Sequence, residues 1–247
     1  MTGTTGKAMA TVAGIMLATV PAFAQVSTGA GLEATTDENR RGISWSEGRV
    51  SVSGDATLSG YGLDATARVA ALRDSPRHGG ADAVADLSLG SGWDVGAVRL
   101  RVQGSAHLFS GTRGGMDYGE LGGSASYTYG PLYLTGGAIW APPQRAIGGS
   151  NLFVYASASA GVPGTPLTIV ADLGHSSGNL DDATRAQRLR PGGDYANWRL
   201  GLEHRLGPLT LGVDYVGTDV SRADAFGPFA DAGHAGDRLL GRVRVDF

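Results

Sequence analysis

Charged residues recur at every second position in several stretches of this chain: Arg99 and Arg101, Glu203 and Arg205, Arg242 and Arg244. In an extended strand that spacing places both side chains on one face. The same phase, followed through the chain, collects Asp55, Asp64, Arg68, Asp86, Arg99, Arg101, Glu120, Asp172, Arg199, Glu203, Arg205, Asp214, Arg242 and Arg244, seven acids against seven bases. A wet wall of mixed fixed charges among Ser, Thr and Gly can pass small polar solutes or ions, with selectivity set by charge placement. The same charges can instead pair across a narrow interior and fill it.

Other chemistry has weaker support. His107 lies near Ser105 and Ser110, a base beside candidate nucleophiles, as hydrolysis requires. A Ser close to a His is expected by chance in a Ser-rich strand. Asp181-Asp182 could face a divalent ion, but adjacent acids more often mark a solvated loop. Gly111-Thr112-Arg113-Gly114-Gly115 lacks the Lys-Ser/Thr of a phosphate loop. The residues therefore predict no catalytic group, no metal ligand and no cofactor.

The elements that must carry these charges are strands. At the carboxy-terminus Leu239, Gly241, Val243, Val245 and Phe247 share one face and Leu240, Arg242, Arg244 and Asp246 the other. An apolar face backed by charge suits lipid on one side and water on the other. Similar alternation predicts a first strand near 26–36 and five hairpins. Tight turns are expected at 59–62, 130–131 and 207–208, and broader ones around 90–96 and 161–166. Longer polar connections are expected near 37–48, 73–81, 141–150, 175–194 and 218–236. With the closing strand this makes an antiparallel up-and-down barrel of about twelve strands, with short periplasmic turns and longer extracellular loops. His204 has the apolar phase of its strand and is expected to mark a bulge or a shift of phase. Two aromatic bands are predicted: Tyr61, Trp93, Tyr127, Tyr129, Tyr133 and Phe247 at the short turns, and Trp140, Phe153, Tyr195, Trp198 and Tyr215 at the other end.

Residues 1–24 read as a secretory signal peptide: Lys7, then an apolar run Ala8 to Val20, then Ala22-Phe23-Ala24 before a mature start at Gln25. Residues 25–247 are then the barrel domain, exported to the bacterial outer membrane. There are no cysteines, which excludes disulfide staples and thiolate metal sites. The formal charge of −3 carries no basic signature for nucleic acid. A mean hydropathy of −0.05 fits strands that need apolar residues only at alternate positions.

The segment Asn39-Arg40-Arg41-Gly42-Ile43-Ser44 is similar to the Arg-Gly-Ile/Val-Ser element of the TorF-type porins. Asp117-Tyr118-Gly119-Glu120-Leu121 and Tyr195-Ala196-Asn197-Trp198-Arg199-Leu200-Gly201 resemble that family in character; Trp45 stands where it often has Gln. The resemblance implies an outer-membrane barrel and a channel. The expected function is passive diffusion of small hydrophilic solutes or ions; the alternatives are an outer-membrane hydrolase and a non-conducting structural or surface-binding barrel. Expected partners are the lipid bilayer, lipopolysaccharide, periplasmic chaperones and the barrel-assembly machinery, with Phe247 as the insertion signal; monomer and trimer both fit.

Overall fold

The computed structural model describes residues 26–247, so the signal-peptide reading of 1–24 lies outside the described residues. The strands run β1 (Ser27–Thr35), β2 (Asn39–Arg40), β3 (Ile43–Ser44), β4 (Ser51–Gly60), β5 (Leu63–Ser75), β6 (Ala81–Val95) and β7 (Val98–Ser110). They continue with β8 (Tyr118–Tyr129), β9 (Leu132–Gln144), β10 (Gly149–Gly161), β11 (Leu167–Ser177), β12 (Tyr195–Leu206), β13 (Leu209–Thr218) and β14 (Arg238–Asp246). One short helix, α1, spans Ala183–Ala186.

β1 and β4 to β14 form a closed antiparallel barrel of twelve strands, each paired with its neighbours along the chain. β1 closes the ring against β14 through five residue pairs, Gly31–Thr35 with Asp246–Arg242, whereas β6 and β7 share thirteen. Beyond the seam the Phe247 amide donates to the Ala30 carbonyl at 2.8 Å.

Closure leaves the sheet no free edge strand, which a sheet in lipid requires. The alternation then sorts the side chains. Leu32 is 58% exposed, Val69 53%, Leu121 57% and Leu239 71%, and the register joins such positions edge to edge, Leu32 with Val245 and Leu121 with Trp140. A continuous apolar outer belt of this kind has no place in water.

Three expectations about the wall change. Residues 90–95 are strand, and the turn is confined to Gly96 and Ala97. Gly90 and Gly92 resemble turn residues in the sequence, but they clear space on the inner face. A Cβ there would meet the guanidinium groups of Arg101 and Arg99. His204 marks no bulge: it pairs in regular register with Leu167 and Leu211 and keeps the outward phase. In the aromatic bands, Phe153 and Tyr195 are buried and face inward.

The core of the molecule lies inside the barrel. Ile43, Trp45, Leu72, Val84, Tyr118, Ile147, Leu189 and Tyr195 form one buried cluster. Only some of these belong to the wall; the rest come from connections at the long-loop end.

Candidate functional site

In the short-turn half, the charged residues lie on the inner face and pair along it. Asp55 meets Arg244 at 2.6 Å, and Asp64 pairs with Arg101. Asp172 accepts from Arg199 at 3.2 Å. Asp214 sits between Arg199 at 2.8 Å and Arg242 at 3.1 Å, and Arg242 also pairs with Glu203. Arg99 has only the loose contact to Asp94 at 3.4 Å. Arg205 reaches Asp246 at 4.0 Å with its side chain 68% exposed. Asp172–Arg199, Arg199–Asp214 and Asp214–Arg242 join neighbouring strands, where antiparallel register sets opposite charges side by side, whereas Asp55–Arg244, Asp64–Arg101 and Glu203–Arg242 reach across an intervening strand over Gly31, Gly90 and Gly212.

The remaining predicted residues, Arg68, Asp86 and Glu120, are occupied by the connection 36–50. It is no outer loop, as the polar composition led us to expect; it turns into the barrel. Arg41 and Gly42 have φ of 52° and 80°, the left-handed pair that a two-residue hairpin turn needs. This turn folds β2 back on β3. Asp37 holds the base of the hairpin: it accepts from Ser44 Oγ at 2.5 Å and from Arg238 Nε at 3.0 Å.

The hairpin is tied to the wall by its arginines. Arg40 grips Asp86 with two bonds of 3.0 and 2.7 Å and donates to Glu38 at 2.9 Å. Arg68 grips Glu38 from the wall at 2.8 and 2.9 Å. Arg41 donates to Glu120 at 2.7 Å and lies 4.7 Å from the Phe153 ring centroid. Bidentate forks of this kind are the strong form of the arginine–carboxylate bond.

His107 stands between the two clamped carboxylates, Nδ1 at 2.7 Å from Asp86 and Nε2 at 3.3 Å from Glu120. Both ring nitrogens are therefore engaged by acids. Among the described residues no serine hydroxyl bonds to His107, and the Ser110 hydroxyl contacts the Ala83 carbonyl instead. A hydrolytic nucleophile–base pair needs that contact. Asp182 accepts from the amides of Thr184 and Arg185 and caps α1, which accounts for half of the adjacent-acid pair.

Above the hairpin the outer connections pack into a lid. Arg77 is fully buried and donates to backbone carbonyls of Ser44 (3.0 Å), Arg188 (3.1 Å), Ala230 (2.7 Å) and Asp231 (2.9 Å). It thus joins the hairpin to two separate loops. Arg188 donates to Met116 O at 2.6 Å and to His78 Nδ1 at 3.0 Å, with its guanidinium 4.4 Å from the Phe109 ring. Burial pushes both arginines down to about 10, and carbonyl dipoles replace the water that each charge has lost. Burial, and then the Arg188 and Arg77 charges, hold His78 well below its ordinary value. His78 therefore stays neutral and accepts from Arg188.

The sequence reading missed Glu38, Arg40, Arg41, Arg77 and Arg188. The available signal was Arg41-Gly42 set between short β-type runs, Asn39-Arg40 and Ile43-Ser44.

Solved structures share the fold at low identity. The KdgM porin superposes with a TM-score of 0.58 at 7% identity, covering 89% of this chain and 99% of that one. OmpF of Salmonella typhi, in complex with daunomycin, gives 0.50 at 7% identity over 90% and 97%. No curated protein matches the chain by sequence. The model of a bacterial protein family of unknown function, Gcw_chp, matches residues 20–235, and the chain belongs to that family.

Proposed function

We propose that the protein is an outer-membrane channel for small hydrophilic solutes or ions, held shut at its outer end by the inturned hairpin. The observation that carries this reading is the way the hairpin is held. β2 and β3 pair only with each other and form a separate two-stranded sheet. They meet the wall through side chains, chiefly Arg40 on Asp86 and Arg41 on Glu120. A plug attached by side chains can leave without tearing the barrel's hydrogen-bond ladder. Below it the inner face is charged and paired rather than filled with apolar bulk, as a water-filled passage requires.

Further support comes from the porin-like fold and from the resemblance of Asn39–Ser44 to the TorF-type porins. On this reading the pore-lining residues are the fourteen charged positions named from the sequence. The barrel sits in lipid and lipopolysaccharide, and Phe247 addresses it to the assembly machinery. The buried cluster beneath the lid favours a second reading, a permanently shut structural barrel.

Planar bilayers separate the two. The wild-type protein is expected to give rare or small conductance steps, and a variant with residues 38–46 replaced by a Gly-Ser segment large and frequent ones. A folded variant that stays silent at high load overturns the channel reading.

A further inference from the structure

Toward the long-loop end, the outer face of the wall carries an apolar groove across β6, β7 and β8. The register builds it. Leu89, Gly104 and Leu121 form one cross-strand row, and Leu87, Ala106 and Gly119 the next. Leu89 and Leu121 are exposed and stand on strands two spacings apart, about 10 Å. Between them β7 offers only Gly104 and Ala106. Packing does not impose the glycines. A Cβ on Gly104 would lie 3.6 Å from Leu121, and one on Gly119 3.4 Å from the Ser105 carbonyl, both ordinary contacts. Their effect is the groove itself.

The upper end of the groove is sealed without being filled. The ladder between β8 and β9 ends at Leu121 and Trp140, just before Pro142 and Pro143, which have no amide hydrogen to give. The Gln144 side chain takes over. Its Oε1 accepts from the Gly119 amide and its Nε2 donates to the Gly119 carbonyl, both at 2.8 Å. The Gly119 backbone is thus satisfied against lipid, and the floor stays bare.

Gln144 also lines a second cavity at the rim, together with Arg145, Arg185 and Asp117. The short turn Arg145–Ile147 and helix α1 carry the two arginines and are locked together at Gly148. The Gly148 carbonyl accepts from the amides of Asp181 and Asp182 at 2.9 and 3.0 Å, and a Cβ on Gly148 would strike the Asp182 carbonyl. Arg145 is exposed, and among the described residues its guanidinium has no ion pair. Arg185 has only the Gly115 carbonyl at 3.3 Å and Asp182 at 3.8 Å, longer than strong charge-assisted bonds of about 2.7–2.9 Å. Asp117 gives one oxygen to the Phe109 amide at 2.7 Å. The rim therefore has cationic capacity to spare, and arginine forks suit phosphate.

A groove on a lipid-facing wall is covered by an acyl chain, and cations at its mouth favour a lipid with an anionic head. At the outer end of an outer-membrane barrel that lipid is lipopolysaccharide, whose anchor joins phosphates and acyl chains on one glycan. We infer that groove and rim form a binding site for this phosphorylated anchor, with one acyl chain over Gly104 and Gly119 and a phosphate on Arg145 and Arg185. The inference rests on the outer-membrane placement of the barrel and not on conduction.

The test is native mass spectrometry of the full chain released from detergent micelles, with lipid A as the probe. Lipid A is expected to be retained one per barrel, with dephosphorylated lipid A and phosphatidylglycerol each about tenfold weaker. Joint replacement Arg145→Ala and Arg185→Ala should weaken lipid A about tenfold or more, and Gly104→Leu, which fills the floor, about tenfold. Arg222→Ala, in the connection 218–236, should leave retention unchanged. Heat-modifiable gel migration verifies folding, and if Gly104→Leu does not fold, Ala106→Leu takes its place. Absence of one-to-one retention, equal retention of the dephosphorylated lipid or of phosphatidylglycerol, undiminished retention by the arginine or groove variants, or an equal loss in Arg222→Ala overturns the inference. Lipid A retention alongside silent bilayers removes the channel and keeps the site; conduction without retention does the reverse.

Discussion

Arg41, at the tip of the inturned hairpin, donates to the Glu120 carboxylate on β8 at 2.7 Å, and Glu120 is only 6% exposed. Removing one member of a buried pair leaves the other charge unmatched, at a cost of about 3–5 kcal/mol. The plug has other ties, so Arg41→Ala should shift it rather than the barrel. Each 1.4 kcal/mol is about a factor of ten, so the ratio of open to shut plug should rise by about a hundredfold or more. Open probability in planar bilayers measures this. An Arg41→Ala protein as quiet as wild type would show that Arg41 is not a latch.

Gly42 tests the hairpin's geometry without touching a charge. Its φ is 80°, and a Cβ there would sit 2.7 Å from Asn197 Cβ and 3.0 Å from the Gly217 carbonyl. Gly42→Ala therefore meets both backbone strain, about 1–3 kcal/mol, and a clash. The expected outcome is protease cleavage within 37–48 while the barrel still migrates as folded. Wild-type resistance in the variant would mean that the hairpin tolerates the displacement.

Arg77 holds the lid. Arg77→Met keeps the length of the side chain and deprives the carbonyls of Ser44, Arg188, Ala230 and Asp231 of their donor. The loss should amount to about 3 kcal/mol or more, since each orphaned carbonyl costs about 1–3 kcal/mol. Hydrogen exchange should speed up at 183–191 and 228–235 together and stay slow in β6 and β7. Exchange confined to one loop would contradict a shared anchor.

His78 gives the lid a pH dependence. Its folded value lies well below the ordinary 6.5, so the unfolded loop binds a proton that the folded loop refuses. Folding is thus opposed by protons: lid stability is full above about pH 6.5 and falls as pH drops below it toward the folded value. Exchange at 76–80 and 183–191 should quicken over that range. His78→Phe should flatten the dependence, and an unchanged slope in that variant would assign it to another group.

The wall was legible because lipid on one side and water on the other impose a period of two on every strand. Leu200 and Leu202 against Arg199 and Glu203 show the rule at its plainest. The plug was not legible, for a related reason. Glu38, Arg40 and Arg41 form ion pairs inside the barrel, and their composition is the same as that of a loop outside it. Arg77 and Arg188 were hidden differently: a surface arginine and one bonded to backbone carbonyls look identical when the carbonyls come from distant residues, 153 positions away for Arg77 and Ala230 and 72 for Arg188 and Met116. The turn at Gly96 was displaced in our reading because glycines that make room for Arg99 and Arg101 resemble glycines that bend a chain.

The seam has a bearing on how the molecule is built. β1 joins β14 across five residue pairs, and the hairpin leaves the chain directly after β1. The ends that meet there are separated by nearly the whole sequence, so their union carries the largest loop-closure entropy in the ring for the fewest ladder bonds. The ring must shut around whatever lies beside β1 at that moment. The inturned hairpin, gripped by Asp86 and Glu120 on β6 and β8, ties the segment next to β1 to the wall independently of that seam. A hairpin so placed can serve as a mandrel for closure, and a variant that loosens it is expected to mature into the heat-resistant cylinder more slowly than wild type.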